Sequence, residues 1–148
     1  MKDVSFQKAT TEDIPTLLSI ERSVSGVKTY SPLLTEHEWF EEIQKSTVYL
    51  IKRSDVVVGN ISYERKDDSH AHISGLAIDP RFQNQGIARK ALLKMLEELK
   101  EMKRIDLVTH PDNQAALRLY RSLGFVVESR KENYFGDGEP RLVLSLLK

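Results

Sequence analysis

Near the middle of the chain an apolar run, Leu76-Ala77-Ile78, passes through the polar loop Asp79-Pro80-Arg81-Phe82-Gln83-Asn84-Gln85 into Gly86 and a long amphipathic segment. This strand-to-helix junction constrains the chain more than any other stretch. The helix opens at a glycine, so free backbone N–H groups leave its first turn with no side chain in the way. Four donors at such an end lack intrahelical partners, and the macrodipole adds partial positive charge, which makes the end an anion site. From Arg81 to Leu96 the chain carries Arg81, Arg89, Lys90 and Lys94 and no acidic residue. The junction predicts a loop that holds a pyrophosphate.

The pattern Gln83-x-x-Gly86-x-Ala88 resembles the acyl-CoA pyrophosphate loop of the GNAT superfamily of N-acetyltransferases, whose signature is Gln or Arg, two residues, Gly, one residue, then Gly or Ala. An isolated match of this kind also describes a plain tight turn. A second stretch adds weight. Asn113-Gln114-Ala115-Ala116-Leu117-Arg118-Leu119-Tyr120-Arg121-Ser122-Leu123-Gly124-Phe125 resembles the second half of the GNAT signature: Asn, an apolar helix carrying Leu-Tyr, then Gly-Phe. Asn113 is placed to cap that helix and Gly124 to end it in a left-handed conformation. Tyr120 shares a helix face with Ala116 and Leu123, so core packing competes with chemistry for it.

The order of elements extends the resemblance to nearly the full length. Residues 4–10 read as a strand, and 11–24 as a helix with Ile14, Leu17 and Leu18 on one side. Thr35-Glu36-His37-Glu38 has capping-box spacing, followed by an apolar stripe of Trp39, Phe40 and Ile43. Strands over 48–53 and 56–65 meet at a Ser54-Asp55 turn, and Asp67-Asp68-Ser69 turns the chain into a strand over 70–78. A helix over 86–103, a strand over 104–110, a helix over 113–123 and strands over 125–130 and 141–147 follow. The order β-α-α-β-β-β-α-β-α-β-β is that of the GNAT fold: an α/β (α+β) architecture with a mixed, mostly antiparallel sheet of about seven strands and helices on both faces.

Composition is consistent with one such domain over residues 1–148. Lys and Arg number 22 and Asp and Glu 22, so a broad nucleic-acid-binding face is not expected. The chain has no Cys, which removes a thiol nucleophile, a disulfide scaffold and a thiolate metal site. No signal peptide or membrane-length apolar run is visible, which predicts a cytoplasmic protein with no membrane partner.

The resemblance implies an enzyme that moves the acetyl group of acetyl-CoA directly to an amine, with no metal. The loop amides of Asn84, Gln85, Gly86, Ile87, Ala88 and Arg89 would hold the pyrophosphate, with Gln83 completing the motif. The strand Leu76-Ala77-Ile78 would pair its backbone with the pantetheine arm. GNAT folds bulge this strand and splay it from the next; Gly75 is the expected place. By resemblance, the Leu76 N–H would polarise the thioester oxygen, Tyr120 would protonate the leaving thiolate, and Asn113 would help fix the cofactor and the splayed strands.

In detail the chain looks most like ribosomal-protein-alanine N-acetyltransferases, through Ile73…Leu76-Ala77-Ile78-Asp79-Pro80 and the ending Asn133-Tyr134-Phe135…Gly138-Glu139. Those enzymes carry a glutamate base five residues before the motif asparagine, and here that position is Val108. His110 is the first substitute base, on the Val108 face for as long as the strand continues. His72, Glu64 and Asp79 are others. His70 and His72 share a strand face, but no third ligand stands out and a metal site is not expected.

Acceptor specificity is expected from the loops over 23–34 and 133–140, with Tyr30, Tyr134 and Phe135 as an aromatic wall. The acceptor is open among a protein N-terminus, a lysine and a small amine. A non-catalytic acyl-CoA-binding sensor or scaffold is the alternative; retention of Tyr120 argues for the enzyme and loss of the glutamate for the sensor. Relatives dimerise through late strands, and a homodimer stays open.

Overall fold

The computed structural model describes residues 3–148. Among these residues seven strands form one sheet: β1 (Val4–Lys8), β2 (Thr47–Arg53), β3 (Val56–Arg65), β4 (His70–Ile78), β5 (Arg104–Thr109), β6 (Val126–Lys131) and β7 (Arg141–Leu147). Their spatial order is β1-β2-β3-β4-β5-β7-β6. Every neighbouring pair is antiparallel except β4 and β5. Among the described residues there are also four α-helices: α1 (Ile14–Ser23), α2 (Glu36–Lys45), α3 (Ile87–Glu98) and α4 (Gln114–Ser122). The expected order and the mixed seven-stranded sheet are both present.

Period-two alternation sends each strand to two cores. In β2, Tyr49 and Ile51 join a large cluster under α3 and α4, with Ile61, Leu92, Met95, Ile105 and Leu117. Val48 and Leu50 point the other way, to Ile14, Leu17, Leu18 and Trp39 of α1 and α2. The sheet therefore carries helices on both faces.

Local signals explain most element ends. Thr10 with Asp13, and Thr35 with Glu38, form reciprocal capping boxes that satisfy orphan N–H groups. Pro15 opens α1, where its missing N–H costs nothing. Several features differ from expectation. The helix read over 86–103 stops at Glu98, because the Leu99 to Lys103 segment turns so that the Lys103 N–H reaches the Ser69 carbonyl at 2.9 Å. The first strand ends at Lys8, two residues early, and Thr11–Asp13 forms a tight 3-10 turn before α1. The α2 stripe is Trp39 with Glu42 and Ile43, three and four positions on, while Phe40 next to Trp39 is exposed.

The feature that positions the site lies between β4 and β5. Their ladder pairs His70 with Arg104 through Ile73 with Leu107 and then stops. On its other edge β4 keeps pairing with β3, but Ser62 faces Gly75 and Tyr63 faces Ile73, so Ser74 is an extra residue. This bulge, one residue before the expected Gly75, re-aims β4 away from β5. No helix among the described residues is long and apolar enough to cross a membrane.

Candidate active site

Beyond Ile73 the splay opens a wedge lined by Ser74, Gly75, Leu76, Val108, Thr109, Tyr120 and Phe135, among others. The wedge adjoins a larger cleft of about 530 Å³ along the outer part of β4, the loop after it and one face of α4. The Asp79 N–H donates back to the Val58 carbonyl of β3 at 2.8 Å. Backbone groups alternate along a strand, so Ile78 and Leu76 present theirs to the splay. An extended ligand with amide groups finds a row of backbone partners there.

The loop after β4 is held by its own side chains. Asp79 accepts from the Arg81 backbone at 2.9 Å and pairs with the Arg81 guanidinium at 2.8 Å. The Gln83 side-chain amide donates to the Ile78 carbonyl at 2.9 Å. Asn84 and Gly86 both have positive φ, 62° and 80°. The first backbone bond of α3 is Lys90 N–H to Gly86 carbonyl, at 3.2 Å. The amides of Ile87, Ala88 and Arg89 therefore precede any intrahelical bond, and no side chain caps this end. By contrast α2 and α4 are capped by Thr35 and Asn113. A Cβ built on Gly86 would meet nothing within 4 Å. An uncapped helix N-terminus that borders a cleft, with open space at its glycine, fits a pyrophosphate.

Of the expected cofactor residues, Leu76, Ala77, Ile78, Gln83, Asn84, Gly86, Ile87, Ala88, Arg89, Asn113 and Tyr120 all line this cleft. Gln85 does not; its side chain accepts from Arg53 of β2. Arg89 donates to the Ser122 hydroxyl at 2.9 Å, tying α3 to α4. The Asn113 side chain accepts from the Ala116 N–H at 3.2 Å, so it caps α4 while facing the cleft.

Tyr120 borders both cleft and wedge. Its ring packs edge-on against Phe125, with centroids 6.1 Å apart. Burial alone pushes its phenol up to about 12. Core packing and access to the cleft, which competed as readings of this residue, coexist.

His110 is elsewhere. Strand β5 ends at Thr109, so the alternation that would set His110 beside Val108 is broken. Its ring is 2% exposed, and its Nδ1 accepts from the Asp112 N–H at 3.0 Å. That leaves Nε2 to donate to Glu139, 2.7 Å away, which anchors the loop between β6 and β7. Both ring nitrogens are occupied, and His110 does not border the cleft or the wedge.

The aromatic wall divides. Tyr30 borders cleft and wedge, Phe135 the wedge, and Tyr134 a separate cavity of about 380 Å³. That cavity holds His70 and His72, whose rings bond opposite oxygens of Asp106 at 2.9 and 2.6 Å. Burial works to raise the Asp106 carboxyl, but the two imidazoles outweigh it and hold it down at about 2.

One residue under the site was passed over in the sequence. Glu21 is 2% exposed, and Tyr30 donates its hydroxyl to it at 3.0 Å. A signal was present: with Ile14, Leu17 and Leu18, position 21 continues the buried stripe of α1, so a carboxylate there falls inside the core.

Comparison with known proteins agrees with this geometry. The sequence pattern of the Acetyltransferase (GNAT) family matches residues 14–125. The chain is similar to the L-amino acid N-acetyltransferase AaaT of Escherichia coli, 27% identical over 114 residues, covering 70% of this chain and 69% of that one. It is 34% identical over 73 residues to the [Ribosomal protein bS18]-alanine N-acetyltransferase of Escherichia coli, spanning about half of each, 48% and 49%. The crystal structure of the Escherichia coli ribosomal-protein-S18-alanine N-acetyltransferase superposes with a TM-score of 0.84 at 22% identity, over 97% of this chain and 93% of that one. A GNAT family acetyltransferase from Elizabethkingia anophelis, solved with acetyl-CoA bound, superposes with a TM-score of 0.79 at 19% identity over 100% of both. The family pattern spans the strand, loop and helices that build the cleft, and the chain belongs to the GNAT family of acetyltransferases.

Proposed function

We propose that this chain transfers the acetyl group of acetyl-CoA to an amine, in the cleft between β4 and α4, with Tyr120 as the general acid. The observation that carries this reading is the meeting of three groups at one cavity: the outward backbone of Leu76, the uncapped amides after Gly86, and the Tyr120 hydroxyl. Acetyl-CoA, when bound, supplies an acyl group activated as a thioester.

The chain's own residues then have separate tasks. The amides of Asn84, Gly86, Ile87, Ala88 and Arg89 bind the pyrophosphate. The backbone of Leu76 and Ile78 orients the pantetheine arm, and the Leu76 N–H donates to the acyl oxygen, where charge accumulates during attack. Holding both reactants in one cleft supplies the largest single gain, because encounter becomes intramolecular. Tyr120 delivers its proton to the departing sulfur. A thiolate in the same desolvated cleft rises in pKa for the reason the phenol does, so the two stay close enough for transfer.

The acceptor is an amine reaching the wedge past Tyr30 and Phe135. Two sequence relatives, named for L-amino acids and for an alanine of a ribosomal protein, put α-amino groups first among the acceptors proposed. His110 is read as a loop anchor through Glu139, on the grounds that neither ring nitrogen is free. Thiol release from acetyl-CoA, measured against amino acids, N-terminal peptides, lysine peptides and polyamines, tests the reading. Acceptor-dependent release with one class supports it. Silence across the panel from protein that binds acetyl-CoA overturns it in favour of a sensor.

A further inference from the structure

We infer that Tyr30 and Glu21 form the route by which the acceptor's ammonium proton leaves the cleft, with the Glu21 carboxylate as its end point. The inference rests on the acetyl-transfer reading and supplies the base that Val108 cannot be.

Four buried carboxylates occur among the described residues: Glu21, Glu42, Asp79 and Asp106. Three have cations beside them. Lys45 lies 3.8 Å from Glu42, Arg81 2.8 Å from Asp79, and Asp106 meets His70, His72 and Arg104. Glu21 is met instead by neutral donors: the Tyr30 hydroxyl at 3.0 and 3.1 Å, the Leu33 N–H at 3.0 Å and Asn60 Nδ2 at 3.3 Å. A buried charge without a counter-ion is held at a cost that protonation relieves. Burial accordingly raises the Glu21 carboxyl above its ordinary range, against the pull of those hydrogen bonds.

Position makes this group useful. Tyr30 is one of five residues that border both cleft and wedge, together with Thr29, Leu76, Asn113 and Tyr120. Its side chain thus borders the place of reaction and donates its hydroxyl to the buried carboxylate. Burial, with Glu21 beside it, keeps the Tyr30 phenol far above its ordinary value, so it works as a relay and not as a phenolate base.

The step balances. As the ammonium gives a proton to Tyr30 Oη, the hydrogen already on Oη passes to Glu21, leaving a neutral amine, a neutral phenol and a carboxylic acid. The amine nitrogen then forms its bond to the acyl carbon and the carbon–sulfur bond breaks. Tyr120 gives its proton to the departing sulfur, the second nitrogen proton passes to the Tyr120 phenolate so formed, and Glu21 returns its proton to water after product leaves.

The charged and titratable groups facing this pair are few. Glu42 of α2 acts on both Glu21 and Tyr30, and Tyr120 of α4 acts on Tyr30. Both of these disfavour further negative charge at the pair.

The test uses the full chain and the best acceptor of the thiol-release panel. Glu21→Gln keeps the side-chain shape. It should leave acetyl-CoA affinity within about two-fold, lower kcat at neutral pH by about ten-fold or more, and abolish the acidic limb of the kcat/KM profile. Tyr30→Phe should do the same, and it decides the matter if Glu21→Gln does not fold. An aminooxy analogue of the acceptor, whose nitrogen is already neutral at neutral pH and so has no ammonium proton to lose before attack, should be used equally well by variant and parent. Turnover with the acidic limb intact in both variants, or an equal loss on the aminooxy acceptor, overturns the relay alone. Absence of turnover from the unaltered chain overturns the acetyl-transfer reading and the relay with it.

Discussion

The side-chain amide of Gln83 donates to the carbonyl of Ile78 at 2.9 Å, closing the phosphate-side loop onto the end of the strand that faces the cleft. This bond joins the two halves of the proposed cofactor site: backbone partners on β4 and open amides at the start of α3. Its loss frees the loop without touching Tyr120. Gln83→Ala should therefore raise the acetyl-CoA Kd by about five-fold, the worth of one net hydrogen bond near 1 kcal/mol, with kcat little changed. Calorimetric titration and steady-state kinetics separate the two effects.

Gly86 carries φ 80° at the helix entrance. A β-branched residue is strained there, and its side chain occupies the space in front of the first amides. Gly86→Val should weaken acetyl-CoA binding by about ten-fold or more. Because a Cβ at this position meets nothing within 4 Å, the fold itself should survive, with a cooperative thermal transition. Unchanged affinity would contradict the assignment of the loop.

Gly59 is a different kind of glycine. A Cβ on it would lie 2.3 Å from the Ala77 carbonyl oxygen of β4. Backbone cannot yield as a flexible side chain does, so Gly59→Ala should destabilise the chain by about 1–3 kcal/mol in urea unfolding. It should also raise the acetyl-CoA Kd, since the displaced strand is the one that lines the cleft.

Asp106 makes stability depend on pH. Its carboxyl lies at about 2 in the folded chain against 3.8 as the ordinary value, because His72 and His70 outweigh the opposing effect of burial. A depressed acid contributes stability above its unfolded value and loses it as pH falls through the folded value. Asp106→Asn should cost on the order of 2 kcal/mol at neutral pH. The gap to the parent chain should close between about pH 4 and pH 2. Urea unfolding across that window measures it.

Most of the cleft proposed to hold acetyl-CoA was legible in the sequence because it is local. A strand, a loop and a helix N-terminus follow one another within residues 76–89, and their chemistry is that of backbone groups, which glycine and spacing reveal. Tyr120 was legible for a similar reason, as a position on a short capped helix. His110 was not, because its partner Glu139 is brought to it by the return of β7 and the end of β5 cannot be read within a residue. The bulge at Ser74 was placed one residue late, at Gly75, since glycine marks tolerance of a bulge while the ladder with Ser62 and Tyr63 sets its register. The buried role of Glu42 was hidden by its bonds to Ser62 and Ser74, which only the folded sheet assembles.

Tyr120→Phe tests the central claim most directly. Phenylalanine keeps the packing against Phe125 and removes only the hydroxyl at the cleft. With the phenol pushed up to about 12 by burial, the parent should show no marked loss of kcat from Tyr120 ionisation below about pH 10. The account predicts that the variant's kcat falls by about 100-fold or more while its acetyl-CoA Kd stays within about two-fold of the parent. Full turnover in the variant, or a loss confined to acetyl-CoA binding, would make Tyr120 a packing residue and contradict acetyl transfer by this mechanism.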